Sequence, residues 1–342
     1  MVACIITISR VYFMRNKFRR LNFALAAGFL YASVFGCLSA CKPAATTASI
    51  RFGYIAADQL HSPAVMIMKE RKLLEAAGFS VEWKEYLTGA YVMQDVASDA
   101  VDYAACGAVP IMVAHANNDK MAIIAGANRE GSSLVVKPSI AELGDLDGGI
   151  IGIPGHGTIQ DAMAARIMKE NSIYFKRVTV DVSEMPNILE NGDIDGFIAW
   201  APYPANAVLN GVGRELLTSR DMMPDHQCCV LVTKESTLKD NRKTAKKLLE
   251  IYLDAMGWFL GHPEESRKLL AKYTGLDEAV ISLAGDTVNY VYPPYCNADS
   301  MLTMAEGLVE TGRISIDESD LATFVDSLYH PELLDEIIKG SE

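Results

Sequence analysis

The chain has 342 residues, half of them hydrophobic and 22% charged. That is enough to bury one large or two medium cores and too apolar for wholesale disorder. Its net charge of −12 argues against nucleic acid as a partner, since such surfaces are basic.

The first predicted element is a targeting segment. Arg15, Lys17, Arg19 and Arg20 form a basic region, Leu21 to Cys37 is an uncharged and mostly apolar stretch, and Leu38-Ser39-Ala40-Cys41 follows. About 17 residues is at the short end for a membrane span, and small residues ahead of a cysteine favour cleavage over an uncleaved anchor. The segment resembles the lipobox of bacterial lipoproteins. That implies a signal peptide over residues 1–40, a lipid on Cys41 and a tether over residues 41–48. Met14 is a second candidate start. Loss of residues 1–40 removes five basic residues (Arg10, Arg15, Lys17, Arg19, Arg20) and no acids, so the net charge goes from −12 to −17. Of seven cysteines, Cys106, Cys228, Cys229 and Cys296 then remain for the domain. They form no disulfide framework, and none of the spacings fits a structural zinc site.

Ile50, Phe52 and Tyr54 alternate, which predicts a strand over residues 49–56. Ser62-Pro63 starts a helix that runs to Gly78, with serine as the cap and proline in the first turn. Val81 and Trp83 mark a second strand, and Thr88-Gly89 opens a helix to about Ser98. Tyr103 to Cys106 is a third strand ending at Gly107, and Pro110 lies in the first turn of the next helix. Met121 to Ala127 is a fourth strand. This alternation predicts a parallel sheet covered by helices on both faces. Residues 128–133 interrupt it, and Leu134-Val135-Val136 reads as a crossover to a second lobe. Strands follow at Ile150–Ile153, Val178–Val182 and Gly196–Ala199. Cys229 to Val232 reads as the return crossover. From Lys234 onward the chain is mainly helical, with Leu248, Tyr252, Met256 and Leu260 in one apolar stripe. The basic residues Lys239, Arg242, Lys243, Lys246 and Lys247 read as a solvated helix face. A weak internal echo links Val101-Asp102-Tyr103-Ala104-Ala105-Cys106-Gly107-Ala108 with Ile194-Asp195-Gly196-Phe197-Ile198-Ala199-Trp200-Ala201.

The most informative stretch is Gly152-Ile153-Pro154-Gly155-His156-Gly157-Thr158-Ile159-Gln160-Asp161. A strand, a glycine-rich turn and a helix N-terminus can together hold an anion, because unpaired N–H groups leave the first turn. A tight turn with no ligand has the same pattern. Together with Phe52-Gly53-Tyr54, Asp58, His61 and Pro63, with Gly107-Ala108-Val109-Pro110, with Gly126-Ala127-Asn128 and Gly131-Ser132, and with Asp193-Ile194-Asp195 before Ala199-Trp200, it resembles one family. That family is the solute-binding proteins of ABC importers for nitrate, taurine and alkanesulfonates, whose domain is similar to that of thiamine-pyrimidine synthases. The resemblance covers nearly all of residues 49–340.

The resemblance implies an α/β, two-lobed periplasmic-binding-protein fold (type II), each lobe a mostly parallel sheet flanked by helices. Lobe one is expected at 49–133 and 234–342, and lobe two at 134–233. It further implies a small-molecule solute in the interlobe cleft, an extracytoplasmic location, ABC permease and ATPase subunits as partners, and no enzymatic role. The solute is a small oxyanion or zwitterion; a thiamine-pyrimidine-synthase-like activity, or binding of a pyrimidine or thiamine precursor, is the alternative. No cofactor and no metal are expected.

Cleft candidates from lobe one are Tyr54, Asp58, His61, Thr88, Gly89, Cys106, Gly107, Asn128 and Glu130. Tyr54 can equally face the core, Asp58 and His61 can be solvated loop residues, and Cys106 can be a buried structural thiol. Glu130 either binds an ammonium group or braces the hinge. Candidates from lobe two are Gly155, His156, Gly157, Thr158 and Trp200. Thr158 caps its helix or touches the ligand; Trp200 lines the cleft or packs inside. Asp225-His226-Gln227-Cys228-Cys229 pairs a histidine with two soft ligands. Adjacent residues of a regular strand point to opposite faces, so joint ligation by the two cysteines is not expected; a vicinal disulfide or separate thiols are.

Overall fold

The computed structural model describes residues 48–340. The expected signal segment, Cys41 and all of the tether but Ala48 lie outside them. Two sheets form the frame. The first has the order β11-β4-β10-β3-β1-β2, built from β1 (Ser49–Ile55), β2 (Ser80–Tyr86), β3 (Tyr103–Gly107), β4 (Met121–Glu130), β10 (Gln227–Lys234) and β11 (Val288–Asn289). The second has the order β7-β6-β8-β5-β9, built from β5 (Ser132–Val136), β6 (Ile150–Ile153), β7 (Lys176–Thr179), β8 (Gly196–Trp200) and β9 (Arg214–Thr218).

The sheets are mixed rather than parallel throughout. In the first, β1 runs parallel to β2 and β3, while β10 is antiparallel to both β3 and β4. In the second, β6 is parallel to β7 and β8, while β5 is antiparallel to β8 and β9. In each sheet a reversed strand is the first one laid down after the chain crosses over. The two echoing segments occupy equivalent places, since β3 and β8 each pair with the reversed strand on one side and a parallel strand on the other.

This changes the expected lobe boundary. Cys229 to Val232 is not a crossover but the middle of β10, inside the first sheet. The return crossing is made by a short helix, Ser219–Met222, and the residues up to His226. Strand β9 lacks a clear alternating pattern and escapes the sequence reading; β7 begins earlier than expected. The helix after Ser62 also stops early. It spans Pro63–Glu70, and Lys72, in a left-handed conformation, separates it from a single turn at Leu73–Ala76.

Apart from the edge strand β2, whose residues are half-buried or exposed, the first sheet is covered on both faces, which is why its inner strands are apolar almost throughout. One face, with Ile50, Phe52, Ile124 and Leu231, packs against Leu248, Tyr252 and Met256 of the helix Arg242–Gly261. The last residue of that stripe, Leu260, is exposed instead. The basic residues form the solvated helix face expected of them: Arg242 and Lys246 pair with Glu336 there while staying accessible to solvent. The other face, with Ile55, Cys106, Ile123 and Val230, joins the core that continues into the second sheet.

A single residue, Gly131, separates β4 from β5. Its φ is +93°, a conformation that favours glycine, and a Cβ there would overlap His61 Nε2. The neighbouring Glu130 also has positive φ. Its buried carboxylate accepts from Arg220 Nε at 2.6 Å and from the backbone N–H of Asp225 at 3.0 Å, so it ties the outward crossing to the return crossing.

Candidate functional site

The parallel strands of both sheets end at one cavity, as ligand sites do in α/β folds. From the first lobe come Ile55 at the end of β1, Asp58 and His61 in the following loop, Thr88 and Gly89 after β2, and Gly107 after β3. From the second come Thr158, Ile159 and Gln160 after β6 and Trp200 at the end of β8. The reversed β10 adds Cys228 and Cys229 from its start. The cavity encloses about 30 Å³, room for about two waters.

Two contacts hold the lobes together over it. Trp200 Nε1 donates to the carbonyl of Ala57 at 2.9 Å. His61 Nε2 faces the carbonyl of Gly131 at 3.1 Å, so the ring nitrogen there carries the proton. The other nitrogen, Nδ1, stands 3.2 Å from Asp58 Oδ1 and 3.5 Å from Cys228 Sγ. Cys229 Sγ donates to Asp58 Oδ2 at 3.3 Å. All four side chains are buried.

Both thiols reach this cluster because β10 is irregular there. Gln227 pairs with Arg129 and Cys229 with Asn128, so Cys228 is an extra residue against β4. A β-bulge of this kind breaks the alternation of side chains, which corrects the expectation that the two cysteines point apart. Asn128 and Gln227 fix the bulge: Asn128 Oδ1 accepts from Cys229 N at 3.1 Å, and Gln227 Nε2 donates to the Cys229 carbonyl at 2.9 Å.

Burial and neighbours set the charges. Burial pushes Asp58 up to about 6 even though His61 opposes it. Burial would lower His61, but Asp58, Cys228 and the Gly131 carbonyl outweigh it and hold the ring at about 9. The hydrogen bond from Cys229 holds the Cys228 thiol well below its ordinary value against its burial, with His61 and His226 acting in the same sense. The Cys229 thiol is pushed well above it by that same pairing and by burial.

Several expected residues sit elsewhere. Tyr54 is buried on the opposite face of β1, its hydroxyl taken by Lys69 and Glu85; an even-numbered position of that strand faces the helical side. Cys106 is fully buried beside Gly107 and does not line the cavity. Asn128 and Glu130 act on the bulge and the hinge. Gly155, His156 and Gly157 lie outside the cavity wall because Asp161 pulls the loop toward itself. His156 Nδ1 approaches Asp161 Oδ1 at 3.3 Å, Gly157 N donates to Asp161 Oδ2 at 3.0 Å, and Arg177 and Arg313 also pair with that carboxylate. Thr158 caps its helix, accepting from Asp161 N at 3.2 Å, and lines the cavity as well.

Sequence reasoning missed Gln160, whose Nε2 donates to Ser132 Oγ at 2.9 Å, and Ile55, Pro110 and Ile159. It noticed Cys228 and Cys229 but did not place them in the cleft. Nothing in the local pattern marks Gln160, a polar residue on the buried side of a helix start.

Residues 43–275 match the NMT1-like family, and the chain belongs to it. It is 24% identical over 290 residues to the taurine-binding periplasmic protein of Escherichia coli K12, covering 78% of this chain and 89% of that one. In structure it resembles the periplasmic nitrate-binding protein of Synechocystis, with a TM-score of 0.73, 17% identity, and 87% of this chain and 90% of the other covered. It also resembles the periplasmic aliphatic sulphonate binding protein of Escherichia coli, with a TM-score of 0.66, 18% identity, and 81% and 100% covered. The family that the motifs resemble and the two-lobed fold are both borne out.

Proposed function

We propose that this member of the NMT1-like family is the extracytoplasmic solute-binding component of an ABC importer. It binds a small oxyanion or zwitterion of the sulfonate, taurine or nitrate type between its lobes and delivers it to permease and ATPase subunits. A lipid on Cys41 holds it at the membrane, and it catalyses no reaction. The observation that carries this reading is the cavity walled by loops from both sheets and shut by Trp200 against Ala57. Donors for an oxyanion are at hand: the Thr88 hydroxyl makes no capping bond, and the first turn of the helix at Ile159 presents N–H groups without intrahelical partners. Asp58 leaves a place for an ammonium group. With room for about two waters, the walls must part to admit a sulfonate, as hinge closure requires.

The test is a thermal-shift screen with taurine, alkanesulfonates, nitrate, amino acids and pyrimidines. A solute at a hundred times its Kd adds about 2.7 kcal/mol of stability. The reading expects a sulfonate, taurine or nitrate to raise the Tm, and Trp200→Ala to abolish the shift. No shift with any of the three, beside turnover of another compound, would sink it.

The second reading, a thiamine-pyrimidine-synthase-like enzyme or a binder of a pyrimidine or thiamine precursor, gains from one observation. His61 stands beside Cys228 and Cys229, whereas His156 stands apart from them. It predicts a shift, or turnover, selective for pyrimidines.

A further inference from the structure

The structure assigns a site for a borderline-soft metal ion, zinc(II) by preference, to Cys228, Cys229 and His61, with the Asp58 carboxylate beside them. This goes beyond the solute reading and does not depend on it. Sγ of Cys228, Sγ of Cys229 and Nδ1 of His61 all lie within 4.8 Å of one another, and all three residues are buried. A tetrahedral zinc with bonds of about 2.0–2.3 Å spaces its ligand atoms about 3.3–3.8 Å apart. Two contacts already have about that length, Cys228 Sγ to His61 Nδ1 at 3.5 Å and His61 Nδ1 to Asp58 Oδ1 at 3.2 Å; Cys229 Sγ meets the other carboxylate oxygen, Asp58 Oδ2, at 3.3 Å. The separations among the three ligand atoms, 4.8 Å at most, exceed such an edge by about 1 Å.

Two further features are those of a metal site. A ligating histidine commonly donates its other ring N–H to a carbonyl or carboxylate, which fixes the tautomer. His61 Nε2 does this to Gly131 O, which leaves Nδ1 facing the thiols. Asp58 Oδ1 is buried and faces His61 Nδ1 at 3.2 Å without a hydrogen bond; when that nitrogen gives up its proton to a metal, the charge of the ion takes its place beside the carboxylate. The β-bulge then has a purpose: without the extra residue, Cys228 and Cys229 would face opposite sides of the sheet. Two thiolates and an imidazole with a carboxylate close by favour zinc(II), because it takes both sulfur and nitrogen ligands, whereas copper(I) takes the soft ones and magnesium or calcium the oxygens. Binding releases the protons held on the nitrogen and the thiols.

The test uses untagged protein, reduced and stripped of metal with a chelator. Cobalt(II) is added as a spectroscopic probe and zinc(II) as the competitor. We expect tetrahedral cobalt absorption with a thiolate-to-cobalt charge-transfer band, erased by one equivalent of zinc. Cys228→Ser and Cys229→Ser should each weaken zinc binding by more than about 100-fold, and Asn128→Ala, which only loosens the bulge, by about 10- to 100-fold. Octahedral cobalt with no charge-transfer band in the unaltered protein would overturn the assignment without recourse to any variant. So would unchanged zinc affinity in a folded Cys228→Ser, Cys229→Ser double variant. A parallel thermal-shift screen on the stripped protein separates the two proposals. A solute shift there without zinc binding removes the metal site alone, and zinc binding without any solute shift supports the metal site while removing the oxyanion reading.

Discussion

Replacing Gly131 by alanine strikes the hinge and the cavity floor together. The backbone there has φ +93°, and holding an L-residue in that half of φ space costs about 1–2 kcal/mol. The new methyl would also overlap His61 Nε2. His61 must then leave the Gly131 carbonyl, losing a buried hydrogen bond from a ring held at about 9. A hydrogen bond to a charged group is worth about 1.5–3 kcal/mol. The two losses together amount to about 2.5–5 kcal/mol. Urea unfolding, read as a change in midpoint at constant slope, measures this directly. A double-mutant cycle isolates the contact with His61. In a His61→Ala background the overlap is gone, so Gly131→Ala should cost only the backbone strain of about 1–2 kcal/mol. An equal cost in both backgrounds would refute the contact between the hinge and His61. A cost near zero in the unaltered protein would refute the strained backbone as well.

Glu130→Ala should destabilise by about 1–3 kcal/mol, mainly because the Asp225 N–H loses its buried acceptor; exposed Arg220 adds little, and denaturant melts will show it. Asp161→Ala removes the carboxylate that gathers His156, Gly157, Arg177 and Arg313, and breaking such a buried anchor should cost about 3–5 kcal/mol; a loss under about 1 kcal/mol in the same assay would contradict the pinned loop. Asp195 gives an acid dependence. Burial works against its charge, yet Lys137 and the Ile150 N–H hold its pKa below the ordinary value. Its stabilisation is therefore complete above the ordinary aspartate range and fades as pH falls through the lowered folded-state value. Melts across acidic pH should show a shallower decline in Asp195→Asn than in the unaltered chain.

Much of the first lobe can be read from local patterns. Ile50, Phe52 and Tyr54 announce β1, and Ser62-Pro63 marks its following helix. The loop residues Asp58, His61, Thr88, Gly89, Gly107 and Thr158 are found at the cavity because strand ends and helix starts converge there by topology alone. Trp200 follows from the same rule. Where the reading fails, the decisive partner is remote in sequence. Tyr54 turns to the helical face because of strand parity, and Glu130 is claimed by Arg220 and Asp225, about ninety residues away. The loop at Gly155–Gly157 has the pattern of an anion site, but Asp161 and the distant Arg313 draw it off. Strand β10 illustrates the limit best. Its reversed direction and its bulge depend on pairing with β3 and β4, and no feature of Cys228-Cys229 by itself reveals that both thiols meet His61.

The central claim is that the interlobe cavity receives a small solute. Calorimetric titration of the metal-stripped protein with taurine, ethanesulfonate and nitrate, repeated on Trp200→Ala, tests it most directly. The account predicts one-to-one binding of at least one of these by the unaltered protein and its loss in the variant, because Trp200 both lines the cavity and closes it on Ala57. Binding that survives Trp200→Ala unchanged, or no binding of any of the three, would contradict it.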